Sequence, residues 1–184
     1  MNVEPRIIGL AGVSGAGKDT AGDYLARRHG FTRIAIADPL KRWVRDIFGL
    51  TNAQLWGDER NILDLRLGRT PREVYQDFGA ACTRIDPDVL IRAFSVEAET
   101  MARTGKAVVC TDVRTRREME AIQRKGGTVW RIVRVGAGAG GSAGAHATET
   151  EIAALPDSLF DGIVQNEGSI SELHAALDRI VVRV

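Results

Sequence analysis

The stretch RIIGLAGVSGAGKDT, residues 6–20, decides the fold. Its first half is a short apolar run closing on Gly12, the pattern of a buried strand. From Asp19 the periodicity turns helical, with Ala21, Tyr24, Leu25 and Arg28 on one side and Gly30 as the stop. Between strand and helix, Gly12, Gly17 and Lys18 fit the phosphate-loop pattern G-x-x-x-x-G-K-[ST]. Glycines here let backbone N–H groups turn inward around phosphates. The helix start adds its positive dipole, and Lys18 is placed to reach the β- and γ-phosphates. The last position departs from the pattern: where a hydroxyl would hold magnesium stands Asp19, with Thr20 one place late.

Outward from this loop the same alternation repeats. Apolar runs at 31–37, 107–112, 128–134 and 160–166 read as four more strands. Asp38-Pro39 predicts a helix start with Asp38 as cap, and Thr70-Pro71-Arg72-Glu73 is a capping box with proline at the first helical position. Behind that box Val74, Phe78, Ala81, Cys82 and Ile85 keep helical spacing. Asp86-Pro87 starts another helix, with Leu90, Phe94, Ala98 and Met101 on one face. Thr115-x-x-Glu118 and Ser169-x-x-Glu172 cap two more, the last presenting Ile170, Leu173, Leu177, Ile180 and Val181 on one face. Residues 51–69 are the least regular part. Strands that are apolar throughout, alternating with helices, predict an α/β fold whose parallel sheet is covered on both faces.

Composition sets the outer bounds. A chain of 184 residues with 44% hydrophobic residues suits one domain, 1–184, with a packed core. A net charge of +1 gives no reason to expect nucleic-acid or membrane partners. Cys82 and Cys110 sit in apolar periodic segments and read as small core residues, without disulfide or metal spacing. The first residues lack a signal-peptide pattern and no run is long enough to span a bilayer, so a soluble cytoplasmic protein is expected. Of 25 basic residues only Lys18, Lys41, Lys106 and Lys125 are lysine. That bias suits phosphate recognition by the guanidinium fork, and equally suits a base-composition effect.

A second glycine pattern is a decoy. Gly136, Gly138 and Gly141 match G-x-G-x-x-G after a strand. A dinucleotide site would need a helix to begin there, in the first βα unit. A Gly/Ala-rich loop over 136–145 follows instead, so an oxidoreductase is excluded. The run AVVCTD ends in Asp112, the place of a carboxylate that orients magnesium. No Asn-Lys-x-Asp for guanine is present, which disfavours a GTPase switch.

Cations stand where helix dipoles favour acids. Lys41 and Arg42 follow Asp38-Pro39, Arg72 follows Thr70, and Arg114, Arg116 and Arg117 surround Thr115. Three such starts near the carboxyl edge of a parallel sheet point to a polyanionic ligand. A hydroxyl acceptor would need a carboxylate base, for which Asp38 is placed. A phosphate acceptor needs arginine clamps instead, and the arginine supply favours it.

The segments GLAGVSGAGKDTAGDYL, FTRIAIADPLKRW, GRTPREVYQDFGA, IDPDVLIRAF, VVCTDVRTRREMEAI, GGTVWRIVR, HATE and NEGSISELHAAL together resemble the phage-type deoxynucleoside monophosphate kinases of the P-loop kinase superfamily. The resemblance covers nearly the whole chain and is most specific in Gly-Lys-Asp-Thr and Thr-Pro-Arg-Glu. It implies a three-layer P-loop kinase fold with a five-stranded parallel sheet flanked by helices. It also implies an acceptor-binding helical part at about 38–104 and a lid at about 134–149. The implied reaction moves the ATP γ-phosphate to a deoxynucleoside monophosphate, with magnesium. On this reading Gly12, Ser14, Gly15, Ala16, Gly17, Lys18, Asp19 and Thr20 cradle ATP, and Asn166 supports the adenine end. Lys18, Asp112 and Arg114 are the catalytic candidates, and Asp19, Thr20 and Asp112 the metal candidates. Asp38, Lys41, Arg72 and Gln76 face the acceptor, with Arg134, His146 and Glu149 acting from the lid. The expected partner is the nucleotide itself, with room for a homodimer.

Two departures stand out. Thr115-Arg116-Arg117-Glu118 replaces a Phe-Pro-Asn-Glu-like stretch, and the lid is rich in Gly and Ala and poor in arginine. The alternatives are a kinase of the same fold for a hydroxyl acceptor, such as dephospho-coenzyme A or a nucleoside, and a non-catalytic nucleotide-binding module.

Overall fold

The computed structural model describes residues 6–138 and 147–182, with side chains given outside 147–150. It divides into two compact units: one built from the chain up to Ala35 and from Val96 onward, the other from Ile36–Ser95.

The first unit holds the sheet. Its strands are β1 (Ile7–Ala11), β2 (Thr32–Arg33), β3 (Val108–Val113), β4 (Thr128–Val133) and β5 (Gly162–Gln165). They pair in the order β2-β3-β1-β4-β5, every pairing parallel. Helices α1 (Lys18–His29) and α8 (Ile170–Val181) pack on one face, where Leu25, Leu173, Leu177 and Ile180 meet Ile8, Leu10, Val109 and Trp130. On the other face lies α6 (Arg116–Arg124), whose Ile122 packs over Gly9. Cover on both faces is why β1 is buried at every residue, rather than alternating. Also in this unit are α7 (Ala147–Ala154) and a 3-10 turn at Asp157–Leu159.

Several local expectations meet a different outcome. The apolar run 31–37 gives a ladder of only two residues, extended by the Ile34 amide bonding Val109 O at 3.1 Å. Ile34 and Ile36 are buried all the same, so burial and strand pairing part company at this sheet edge. Asp38 is not the cap of its helix: Ala37 holds that place, with Asp38 and Pro39 in the first turn. Proline is tolerated there because the first amides of a helix have no intrahelical acceptor. Ile85 and Ile170 keep helical spacing but lie at helix ends and are exposed.

The second unit is helical. It comprises α2 (Asp38–Phe48), α3 (Asn52–Trp56), a 3-10 turn at Asp58–Asn61, α4 (Pro71–Ile85) and the first part of α5 (Val89–Arg103). Leu40, Val44, Leu50, Leu55 and Val74 form its core. The stretch 51–69 proves ordered. Thr51 and Gln54 make a capping box for α3. Asp64, only 8% exposed, braces the turn that leads to α4. Its carboxylate takes Arg66 N at 2.9 Å, Arg66 Nη2 at 2.8 Å and Gln54 Nε2 at 3.0 Å. Those bonds, Arg66 foremost, hold its pKa down at about 2. None of the helices among the described residues is long and apolar enough to cross a membrane.

Candidate active site

In the sheet unit, the chemistry-bearing residues gather at the carboxyl ends of the strands. The loop 12–17 leaves β1, Asp112 lies near the end of β3, Arg134 follows β4, and Asn166 follows β5. This edge is where parallel α/β sheets bind ligands.

The glycines of the loop are there for steric reasons. Gly12 has φ 142°, and a Cβ on it would lie 2.4 Å from Ile132 O. Gly17 has φ 102°, and a Cβ there would meet Asn166 Nδ2 at 2.4 Å. Gly17 also stands at the start of α1, which has no side-chain cap. By contrast α3, α4, α6 and α8 all begin with complete capping boxes. The first amides of α1 are thus left to the loop and to whatever it holds. Lys18 Nζ donates to Gly12 O and Val13 O, both at 2.8 Å, and so stays folded over the loop. Ser14 and Gly15 are exposed at the loop tip, and Ala16 is fully buried beneath it.

Two neighbours fix the loop from outside. Asn166 Nδ2 donates to Ala16 O at 2.8 Å, while its own backbone amide bonds Val133 O. Asn166 therefore touches the loop at the loop's own backbone. Gly138 N donates to Ser14 O at 3.0 Å, so the turn after β4 rests on the loop. Over 135–138 the chain forms this turn, and Gly141 lies outside the described residues. Arg134 is exposed and makes no ion pair among the described residues. His146 lies outside the described residues, as does the side chain of Glu149.

Around α1 and β3 the carboxylates are organised. Asp19 is 83% exposed, and its Oδ1 accepts from Arg33 Nη2 at 2.7 Å. Thr20 is exposed beside it. Asp112 is half-buried and accepts from the Cys110 thiol at 3.2 Å. Burial pushes that thiol well above its ordinary value, which makes Cys110 an inert core residue. Glu118 Oε2 accepts Arg114 N at 2.7 Å and Thr115 N at 2.9 Å. Burial first, and then the Asp112 charge, raise its pKa to about 7. Arg114 is half-buried next to this pair. Arg116 is spoken for by Glu120 at 2.6 Å.

The helical unit holds the second set. Asp38 accepts Trp56 Nε1 at 2.7 Å. The ammonium of Lys41 lies 5.6 Å from the Trp56 ring centre and 5.7 Å from that of Tyr75. Among the described residues it has no carboxylate or carbonyl partner. Arg72 Nε reaches only Tyr75 Oη, at 3.4 Å. Gln76 is exposed one turn further along α4. Neither Trp56 nor Tyr75 is singled out by the sequence, because no motif or periodicity marks them.

A family model for deoxynucleotide monophosphate kinases matches residues 69–177, more than half of the chain. The chain belongs to the deoxynucleotide monophosphate kinase family. A curated protein of Acanthamoeba polyphaga mimivirus, provisionally named a deoxynucleotide monophosphate kinase, is 30% identical over 185 residues and covers 93% of each chain. Among solved structures, dephospho-CoA kinase from Campylobacter jejuni superposes with a TM-score of 0.57 at 12% identity, over 98% of this chain and 97% of that one. APS kinase from Mycobacterium tuberculosis, solved with AMPPNP and APS, gives 0.54 at 12% identity, over 97% and 98%. At such identities the likeness is one of fold, and the fold is that of the P-loop kinases. As a deoxynucleotide monophosphate kinase family member on this fold, the protein is an ATP-dependent phosphotransferase.

Proposed function

We propose that this family member transfers the γ-phosphoryl group of ATP to a deoxynucleoside monophosphate, giving the diphosphate and ADP. The observation that carries this choice of acceptor is Lys41. A half-buried ammonium held by two aromatic faces, with no anion of its own among the described residues, is prepared for an anionic ligand. Arg72, at the start of α4, adds a second cation in the same unit with no carboxylate partner among the described residues. A phosphate acceptor is mostly ionised at neutral pH, so it needs such cations and no general base. Asp38, holding the Trp56 indole, then positions the acceptor site, and Gln76 contributes from the exposed face of α4.

On the donor side, residues 12–20 cradle the triphosphate. Lys18 exchanges its loop carbonyls for phosphate oxygens as charge develops on the transferring group. Arg114 supplies a cation from the end of β3, and Arg134 one from the lid, where His146 is a further candidate. Asn166 keeps the loop in shape. Asp19, Thr20 and Asp112 are the groups that would hold magnesium. Among the described residues no three His, Cys, Asp or Glu side chains form a set that holds a metal unaided. Magnesium fits this donor set because it takes one or two carboxylates and otherwise water and phosphate oxygens. When bound, it neutralises charge on the β- and γ-phosphates.

The test is ADP release from ATP with each of the four common deoxynucleoside monophosphates. ADP release that depends on at least one of them is expected. Turnover with none of them, or turnover with dephospho-coenzyme A or a nucleoside in their place, would overturn the proposal.

A further inference from the structure

Arg33 has no place in the phosphate-loop pattern, yet it is the residue that the unusual Asp19 meets. Its guanidinium leaves β2 and reaches across α1. Nη2 donates to Asp19 Oδ1 at 2.7 Å and to Thr111 Oγ1 at 3.3 Å, while Nη1 donates to Asp23 Oδ1. Thr111 Oγ1 also lies 3.5 Å from Asp19 Oδ1. The path exists because residue 22 is glycine: a Cβ there would lie 2.3 Å from Thr111 Cγ2 and 3.3 Å from Arg33 Nε. Asp19 and Asp23 are one helical turn apart, so a single guanidinium can bridge both. Asp19 Oδ2 accepts no hydrogen bond among the described residues.

A carboxylate in place of the usual hydroxyl brings a full negative charge to the rim of a triphosphate site. Left alone it would repel the nucleotide. We infer that Arg33 is a positioning residue that acts through Asp19. It offsets much of that charge, although it is shared with Asp23, and fixes one carboxylate oxygen, leaving the other for the water shell of a cation. Asp19 and Arg33 thus replace one hydroxyl as a pair, and neither substitutes for it alone. This rests on the donor-site reading above.

The test is a double-mutant cycle on the full chain, read by calorimetric titration of ADP in the presence of a chelator, so that neither metal nor turnover enters. An uncompensated charge roughly 6 Å from a phosphate, at an effective dielectric of about 40, changes affinity about tenfold. Arg33→Ala is expected to weaken ADP binding by about that factor. Asp19→Ser combined with Arg33→Ala is expected to restore it to within about threefold of the unaltered protein, since a neutral hydroxyl needs no counter-charge. Arg33→Lys is expected to recover part of the loss. Equal losses in the single and double variants would show a merely structural arginine and overturn the inference, as would unchanged binding in Arg33→Ala. Failure of the unaltered protein to bind ADP at all would instead overturn the donor-site reading.

Discussion

Glu73, Glu118 and Glu172 occupy the same place in the same capping motif, and they hold their protons differently. Bonds from the Thr70 and Ser169 amides lower the pKa of Glu73 and Glu172. Glu118 accepts equivalent bonds, but it is buried beside Asp112, and its pKa rises to about 7. The folded protein therefore holds this proton more tightly than the unfolded chain. The stability that comes with it is full below the ordinary value of 4.5 and is lost as pH rises through about 7. Glu118→Gln keeps an acceptor for the two amides and removes the titration. Denaturant unfolding between pH 5 and pH 8 is expected to show a falling stability in the unaltered protein and a flatter profile in the variant. The loop, Lys18 and Asp112 are legible in the sequence because each belongs to a local pattern. Arg33 and Trp56 are not, since what matters about them is a partner 14 or 18 residues away.

At the scale of elements, most helix starts were readable because a capping box is a contiguous signal. The structure has such boxes at Thr70, Thr115 and Ser169, as expected, and a further one at Thr51-Gln54 inside the stretch that reads as irregular. Strand extent was less readable. An apolar run reports burial, and β2 shows that a buried run can leave the ladder after two residues. Gly22 is the opposite case, a residue that weakens its own helix. Glycine in a helix interior costs about 1 kcal/mol relative to alanine. Gly22→Ala nonetheless is expected to destabilise the protein, by about 1–3 kcal/mol, because α1 and β3 have no room for a Cβ at that point. Thermal unfolding of the variant measures the sign. A gain in melting temperature would show that α1 can shift away from Thr111.

For the whole molecule, the division into a sheet unit and a helical unit separates two sets of cations. Lys18 belongs to the first and Lys41 to the second. Lys41→Ala is expected to raise KM for the monophosphate about tenfold or more, with KM for ATP changing less than about twofold. Steady-state kinetics with each substrate varied in turn separates the two. A matching rise in both constants would place Lys41 outside the acceptor site. The sheet unit carries a different kind of dependence. Asn166, which braces the phosphate loop, lies 150 residues from Ala16 in the chain. During synthesis the loop leaves the ribosome early, and its brace arrives only with the far end of β5. The bond that fixes Ala16 O therefore forms only once β5 has docked beside β4. One side-chain amide ties the shape of a loop made early to a strand made 150 residues later.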